Sequence, residues 1–305
     1  MSIIYETIEL AKEWKTAVSP IMEQPTPLPT HIFVNAALLS SHMIREYISF
    51  YQNEKGKSIA KAVLGPSLRV FLEKLKMPEI YDEKMTQACT MMRKRLGNDT
   101  SLLSEVQGLF SKDTISGSKA DIYILKKLLN LQLDCLRSAF DIARLNPDYK
   151  PPSFSKLKDD PLTLGQAFYD GYYSTGNTCN YNVSLNFERL SHRPYDMLST
   201  LFHEGIHIFE YELEHILSRQ KIHNEHPTYG CAQRIAARYT DRINSAGLKN
   251  DLDIIRLLPA EQTAYIFETH FTSAVDDLIL PPKPQPQPDT SRVKTWRDLA
   301  TRLAP

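Results

Sequence analysis

The chain has 305 residues, of which 42% are hydrophobic, and its 36 Lys and Arg residues balance its 36 Asp and Glu residues. This length and composition are typical of a globular protein with a sizeable core, arranged as one large or two small domains. A net charge of zero argues against a nucleic-acid or anionic-membrane binder that depends on bulk charge. No apolar run approaches the roughly 20 residues that a membrane span requires.

The cysteines and the N-terminus favour a cytoplasmic protein. Cys89, Cys135, Cys179 and Cys231 are scattered without a CxxC pair, which is typical of reduced thiols and not of a disulfide framework or a zinc ribbon. The N-terminal segment MSIIYETIELAKEWK lacks the long apolar stretch of a secretory signal.

Residues 1–150 are predicted to form a helical region. Thr30 follows a proline and is suited to cap a helix with apolar residues at helical spacing. Gly97 is placed to end a second helix. Ser118 is a candidate N-cap for a long helix that Pro147 would stop.

The pattern changes over residues 151–280. The proline-rich and charged segment 148–160 is expected to be an exposed connection, and a short helical stretch is expected near 161–171. Val183, Leu185 and Phe187 then alternate with polar residues, which predicts a half-buried strand.

Three further helices are predicted, at about 195–219, 229–245 and 260–279. The proline-rich tail, residues 281–305, is expected to begin as an extended polyproline II segment.

The first of these three helices carries the motif His203-Glu204-Gly205-Ile206-His207. Residues i and i+4 project from one face of an α-helix, so two imidazoles can reach one metal ion. Glu204 is turned by roughly 100° from His203, where it can reach a metal-activated water as a general base without binding the metal. The motif therefore predicts a catalytic zinc site with His203 and His207 as ligands.

A catalytic zinc site needs a third protein ligand, and the motif is followed by several candidates. His215 lies about 12 Å beyond His207 along the helix, too far for the same ion, and is expected at the surface. His223, Glu225 and His226 lie in the polar loop after the helix, which can fold back if the next helix packs antiparallel.

The run NTCNYNVSLNFERL, the motif STLFHEGIH and the segment HPTYG together resemble the zincin metallopeptidases, most closely the aspzincin group of deuterolysin and peptidyl-Lys metalloendopeptidase. That group has an edge strand, an HExxH helix and an Asp-x-x-Tyr-Gly segment. The resemblance implies that His226 takes the place of the aspartate as third ligand, and that Tyr229 stabilises the transition state. It also implies a zincin-like catalytic region, so the expected fold is mainly helical α+β with a small sheet.

Other assignments of the third ligand stay open. In a gluzincin arrangement Glu225 would be the ligand, although Pro227 disfavours helix at the residue before it. His223 is a further candidate. Glu261, Glu268 and His270, on the last predicted helix, could orient a ligand imidazole, but such residues more often lie at the surface.

The expected activity is that of a zinc-dependent endopeptidase acting on a protein or peptide substrate. Glu204 would accept a proton from water and pass it to the leaving amine, while Tyr229 and zinc stabilise the oxyanion. The strand upstream of the motif would bind an extended substrate along its edge.

The alternative function is that of a helical interaction protein in which His203, His207, His223 and His226 enclose a structural zinc ion without catalysis.

The resemblance extends to bacterial effector proteases that carry a disulfide-free version of this site. The protein is therefore expected in the cytoplasm, or in a host cell after delivery by a secretion system that needs no signal peptide.

Overall fold

A computed structural model of the chain describes residues 77–157, 163–169, 180–244 and 259–280. These residues form helices and one small three-stranded sheet, which confirms the predicted α+β class with mainly helical content. The helix predicted at Thr30 and the proline-rich tail lie outside the described residues.

The described part of the chain begins with three helices: α1 (Glu79–Asn98), α2 (Thr100–Phe110) and α3 (Lys119–Ala139). The predicted start of α3 is confirmed, because Ser118 and Asp121 cap each other's backbone N–H groups in a capping box. The helix ends earlier than expected from Pro147. The chain leaves α3 through a residue in the left-handed region, Asp141 with φ of 55°.

The sheet consists of β1 (Ser153–Lys156), β2 (Gly165–Tyr169) and β3 (Tyr181–Leu185) in the order β1-β3-β2. β1 is parallel to β3, and β2 is antiparallel to it. The strand predicted over 183–187 is therefore confirmed for β3, although Phe187 begins the next helix. Because both sides of β3 are paired, the expectation that this strand binds a substrate along its edge is wrong.

Two local predictions are wrong for the same reason. The expected connection at 148–160 contains β1, and the expected helical stretch near 161–171 contains β2. Val183 pairs with Phe154 on one side and Ala167 on the other. These segments become strands because β3 supplies hydrogen-bond partners that are distant in sequence.

The second half of the chain contains α4 (Phe187–Leu190), α5 (Pro194–Ser218), α6 (Tyr229–Asn244) and α7 (Pro259–Ile279). The last three confirm the helices predicted at about 195–219, 229–245 and 260–279. The motif helix α5 is 25 residues long, and 17 of its residues are buried.

Helices α1, α3, α5 and α7 are packed as a ring in which α1 and α5 each contact both α3 and α7. One hydrophobic core runs through them and includes Tyr81 of α1, Leu133 of α3, Phe209 of α5 and Phe271 of α7. Of the described helices before residue 150, α3 thus packs directly against the motif helix.

None of the helices in the described part of the chain combines the length and apolar character needed to cross a membrane.

Candidate metal centre

Helix α5 brings the two motif histidines together in the protein interior. His203 and His207 are 7% and 3% exposed, and their Nε2 atoms lie 3.1 Å apart. The rings are nearly perpendicular, with centroids separated by 4.8 Å. The i, i+4 spacing therefore produces the predicted pair.

Helix α7 supplies the third member of the group, Glu261. Its Oε2 atom lies 3.3 Å from His203 Nε2 and 3.4 Å from His207 Nε2, and the residue is 8% exposed. Helix α7 runs antiparallel to α5, since Glu261 faces His207 whereas Glu268 faces Ser199 at the other end of the contact.

The three atoms fit the coordination sphere of a zinc-type ion. Tetrahedral N and O ligands at about 2.0–2.1 Å from zinc stand about 3.3 Å from one another, and the three distances here are 3.1, 3.3 and 3.4 Å. Two imidazoles and one carboxylate also form a ligand set found in catalytic zinc sites, which leaves one position open. In the described part of the chain, His203, His207 and Glu261 form the one such group with ligand atoms this close together.

His203 is oriented by a carboxylate behind it. Glu268 Oε2 lies 2.7 Å from His203 Nδ1, and Glu268 Oε1 accepts a hydrogen bond from the Ser199 hydroxyl at 2.9 Å. A proton on Nδ1 leaves the Nε2 lone pair directed at the group, the tautomer that a metal ligand requires.

The electrostatics of the group favour a positive charge. Burial by itself would lower the pKa of His203, but Glu261 and Glu268 outweigh it and hold the pKa well above its ordinary value. The pKa of His207 is likewise raised, because Glu261 and Glu210 outweigh burial. Two lone pairs and a carboxylate that converge in a buried space repel one another unless a cation lies between them.

Glu204 points toward the sheet and is not part of the ligand group. It is 5% exposed, and its carboxylate reaches strand β2 at Gly165. A Cβ atom at residue 165 would lie 2.8 Å from Glu204 Oε1 and 2.6 Å from Thr200 Cγ2. The glycine therefore makes room for the carboxylate of the motif beside the strand.

The structure does not bring His226 into the group, whose third member is Glu261. His226 Nδ1 accepts a hydrogen bond from the Thr228 backbone N–H at 3.2 Å, and Thr228 is tied to the Phe140 carbonyl. Helix α5 continues 11 residues past His207, which carries the loop about 16 Å farther along the axis. His223 and Glu225, the other candidates for the third ligand, are exposed and are not members of the group. The closed four-histidine site is therefore not formed.

His215 corrects another expectation, because it is 2% exposed rather than at the surface. Its Nδ1 lies 3.3 Å from the Tyr169 hydroxyl. Burial, with smaller contributions from Lys221 and Arg219, lowers the pKa of His215 to about 4.

Tyr229 makes its described side-chain hydrogen bond within its own helix. It is half-buried at the start of α6, and its hydroxyl accepts a hydrogen bond from Gln233 at 3.1 Å. Tyr265 of α7 packs on His203 instead, with ring centroids 4.6 Å apart.

Sequence reasoning named Glu261 and Glu268 only as residues that could orient a ligand imidazole. The signal for their importance is their position on α7, because they stand seven residues apart and so share one helix face. That face also carries buried Ala264 and Phe271. Two glutamates within an apolar stripe indicate a site that compensates their charge.

Helix α5 buries a further glutamate, Glu212, on another side. Glu212 is fully buried, and its Oε1 accepts hydrogen bonds from Arg137 Nε at 3.0 Å and Asn146 Nδ2 at 3.1 Å. Burial outweighs these partners and raises the pKa of Glu212 from 4.5 to about 7.

Comparisons of the chain with protein-family models, with curated proteins and with solved structures find no match.

Proposed function

We propose that the protein is a zinc-dependent endopeptidase, with His203, His207 and Glu261 as metal ligands and Glu204 as general base. One observation carries the proposal: three buried ligand atoms converge at 3.1–3.4 Å, next to a glutamate that stands outside the ligand group. This separation of roles is what metal-assisted hydrolysis requires.

A bound zinc ion would lower the pKa of a water molecule to near 7 and polarise the scissile carbonyl. Glu204 would accept the proton of that water and deliver it to the leaving amine. Its 5% exposure excludes bulk solvent, so that the proton is exchanged with the reactants. Glu268 and Ser199 hold the His203 ring throughout.

The proposed substrate is an extended peptide that adds to strand β2. In the described part of the chain, β2 pairs with β3 on one side and stands at an edge of the sheet. Main-chain hydrogen bonds to such an edge hold a peptide in extended form. Gly165 on this strand is also the residue that the Glu204 carboxylate approaches, so a peptide bound there runs past the general base.

A phenol is proposed to stabilise the oxyanion of the tetrahedral intermediate. The sequence pattern favours Tyr229 for this role. Packing against His203 favours Tyr265, and we assign the role to Tyr265.

A reducing location suits the chain, because Cys89, Cys135 and Cys231 are buried free thiols. We propose that the protein acts in the cytoplasm, or in a host cell to which it is delivered.

The proposal is tested by metal analysis and by digestion of a denatured proteome with the purified protein. We expect about one zinc ion per chain and new peptide termini. Glu204→Gln should keep the zinc and lose about 10²–10⁴-fold in cleavage rate, as is usual for removal of a general base. The matched control is Glu212→Gln, which changes a buried glutamate of the same helix that hydrogen-bonds Arg137 instead.

Cleavage by Glu204→Gln at the wild-type rate would show that this carboxylate is not the base. A zinc-loaded wild-type protein that cleaves no peptide would refute the peptidase assignment while leaving the metal centre in place.

A further inference from the structure

The second histidine of the motif also has a carboxylate behind it. Glu210 lies one turn after His207 on α5 and is 1% exposed. Its Oε2 atom is 3.7 Å from His207 Nδ1. Both atoms are buried, and in the described part of the chain neither has a hydrogen-bond partner.

The tautomer that binds a metal makes this pair complementary. If His207 Nε2 is a ligand, Nδ1 carries the proton and is a donor, and Glu210 Oε2 is an acceptor. A buried donor and a buried acceptor without partners are each unfavourable. A shortening of less than about 1 Å would join them in a hydrogen bond of ordinary length.

A residue of the N-terminal helices holds the other oxygen of Glu210. The hydroxyl of Tyr81 in α1 donates to Glu210 Oε1 at 3.5 Å. The Tyr81 ring is fully buried and meets Phe140 and Phe267 edge-on, with centroids 5.4 and 5.5 Å apart. Its hydroxyl is therefore directed by packing from two other parts of the core.

We propose that Tyr81 and Glu210 are positioning residues of the metal centre. Tyr81 steers one carboxylate oxygen of Glu210, and the other oxygen accepts the Nδ1 proton of His207 when the ion binds to Nε2. The inference rests on the proposed metal centre, and it makes helix α1 part of that centre rather than a separate recognition module.

The physical consequence is a higher metal affinity. A carboxylate that accepts the second ring proton fixes the orientation of the imidazole and increases its basicity as a ligand. Loss of such a partner typically weakens metal binding by about 10–100-fold. Glu268 provides the same contact to His203 at 2.7 Å, so the two ligand rings would be held by two different helices.

The test is a competition titration of zinc into the metal-free full-length chain at pH 7. Glu210→Leu, which removes the acceptor, should weaken zinc binding by about 10–100-fold. Glu210→Gln, whose amide oxygen still accepts a hydrogen bond, should recover part of the loss. Tyr81→Phe removes only the hydroxyl and should weaken binding by a few-fold.

Glu212→Gln is the matched control, because Glu212 lies on the same helix, is equally buried and contacts Arg137 instead of a metal ligand. It should bind zinc as the wild type does. The visible absorption of the cobalt-substituted protein gives a second reading, since the bands should shift in Glu210→Leu and not in Glu212→Gln.

The inference is overturned if Glu210→Leu binds zinc as tightly as the wild type does. It is also overturned if Glu212→Gln loses as much zinc affinity as Glu210→Leu, or if the wild-type chain binds no zinc. If Glu210→Leu does not fold, unchanged affinity in both Glu210→Gln and Tyr81→Phe overturns it. Affinities that follow the expected order in a protein without peptidase activity would support the inference and refute only the proposed function.

Discussion

Helix α5 buries carboxylates on two sides, and the two sides compensate their charge differently. On one side, Glu212 meets the guanidinium of Arg137 and the amide of Asn146. On the other side, Glu210 and Glu268 form their ion pairs, within the described part of the chain, with the rings of His207 and His203. Histidine carries a positive charge only when it is protonated.

This difference supports the side on which we propose a metal ion. The Glu212 cluster contains its own cation, the guanidinium of Arg137. The histidine side combines Glu261, Glu268 and Glu210 around two imidazoles whose pKa values are raised. A divalent cation compensates such a group without the need for two protonated rings.

The largest expected effect comes from removing a ligand on the histidine side. A structural zinc site contributes about 10–16 kcal/mol of binding free energy, so loss of one of three ligands should cost about 4 kcal/mol, or about 10³-fold in zinc affinity. We expect this for His207→Ala and Glu261→Ala, measured by competition titration. His226→Ala is the control and should bind zinc as the wild type does; a loss in this variant with retention in Glu261→Ala would restore the ligand set that the sequence pattern implies.

The contribution of Glu212, on the side of α5 that meets Arg137, to the free energy of unfolding should depend on pH and not on metal. The pKa of Glu212 is 4.5 in its ordinary state and about 7 in the fold, so the fold favours the protonated form. Its contribution to stability is present below pH 4.5 and is lost as pH rises through 7. At about 1.4 kcal/mol per pH unit, the loss amounts to about 3 kcal/mol.

Glu212→Gln imitates the protonated carboxyl and removes this dependence. Its free energy of unfolding, relative to that of the wild type, should therefore rise between pH 4.5 and pH 8. Urea denaturation of both proteins at the two pH values measures the change. A constant difference would show that Arg137 keeps Glu212 charged throughout this range.

Two tyrosines are candidates for the residue that stabilises the oxyanion: Tyr229, which the sequence pattern favours, and Tyr265, which packs on His203. Tyr265→Phe should lower kcat by about 10²-fold, which is typical of the loss of one oxyanion donor, with little change in KM. Tyr229→Phe removes a hydrogen bond to Gln233 and should leave kcat nearly unchanged. Steady-state kinetics on a cleaved peptide decide between them, and the reverse ranking would assign the role to Tyr229.

The smallest expected effect concerns a third side of α5, where Gly205 faces α3. A Cβ atom at residue 205 would collide with Oε1 of Gln132, whose Nε2 donates to the Phe202 carbonyl at 2.9 Å. Gly205→Ala should lower the free energy of unfolding by about 1–3 kcal/mol through overpacking, as measured by urea denaturation. Gln132→Ala in the same chain should recover part of the loss, and no recovery would show that the clash is not with Gln132.

Predictions from local sequence succeeded where the determining interactions lie within a few residues. The i, i+4 spacing of His203 and His207 places their rings together in any regular helix. The capping box of α3 joins Ser118 to a residue three positions later. Periodicity alone likewise predicted α5, α6 and α7 within one or two residues of their bounds.

Tertiary structure decided the features that depend on distant partners. Segments 153–156 and 165–169 became strands because β3 pairs with both of them, which their own composition did not indicate. Glu261 joined the candidate metal group 54 positions after His207 because α7 lies antiparallel along α5. Local sequence therefore placed two members of the candidate metal group, the candidate base and Glu210 on one helix, while Glu261 and Glu268 joined them because α7 packs beside α5.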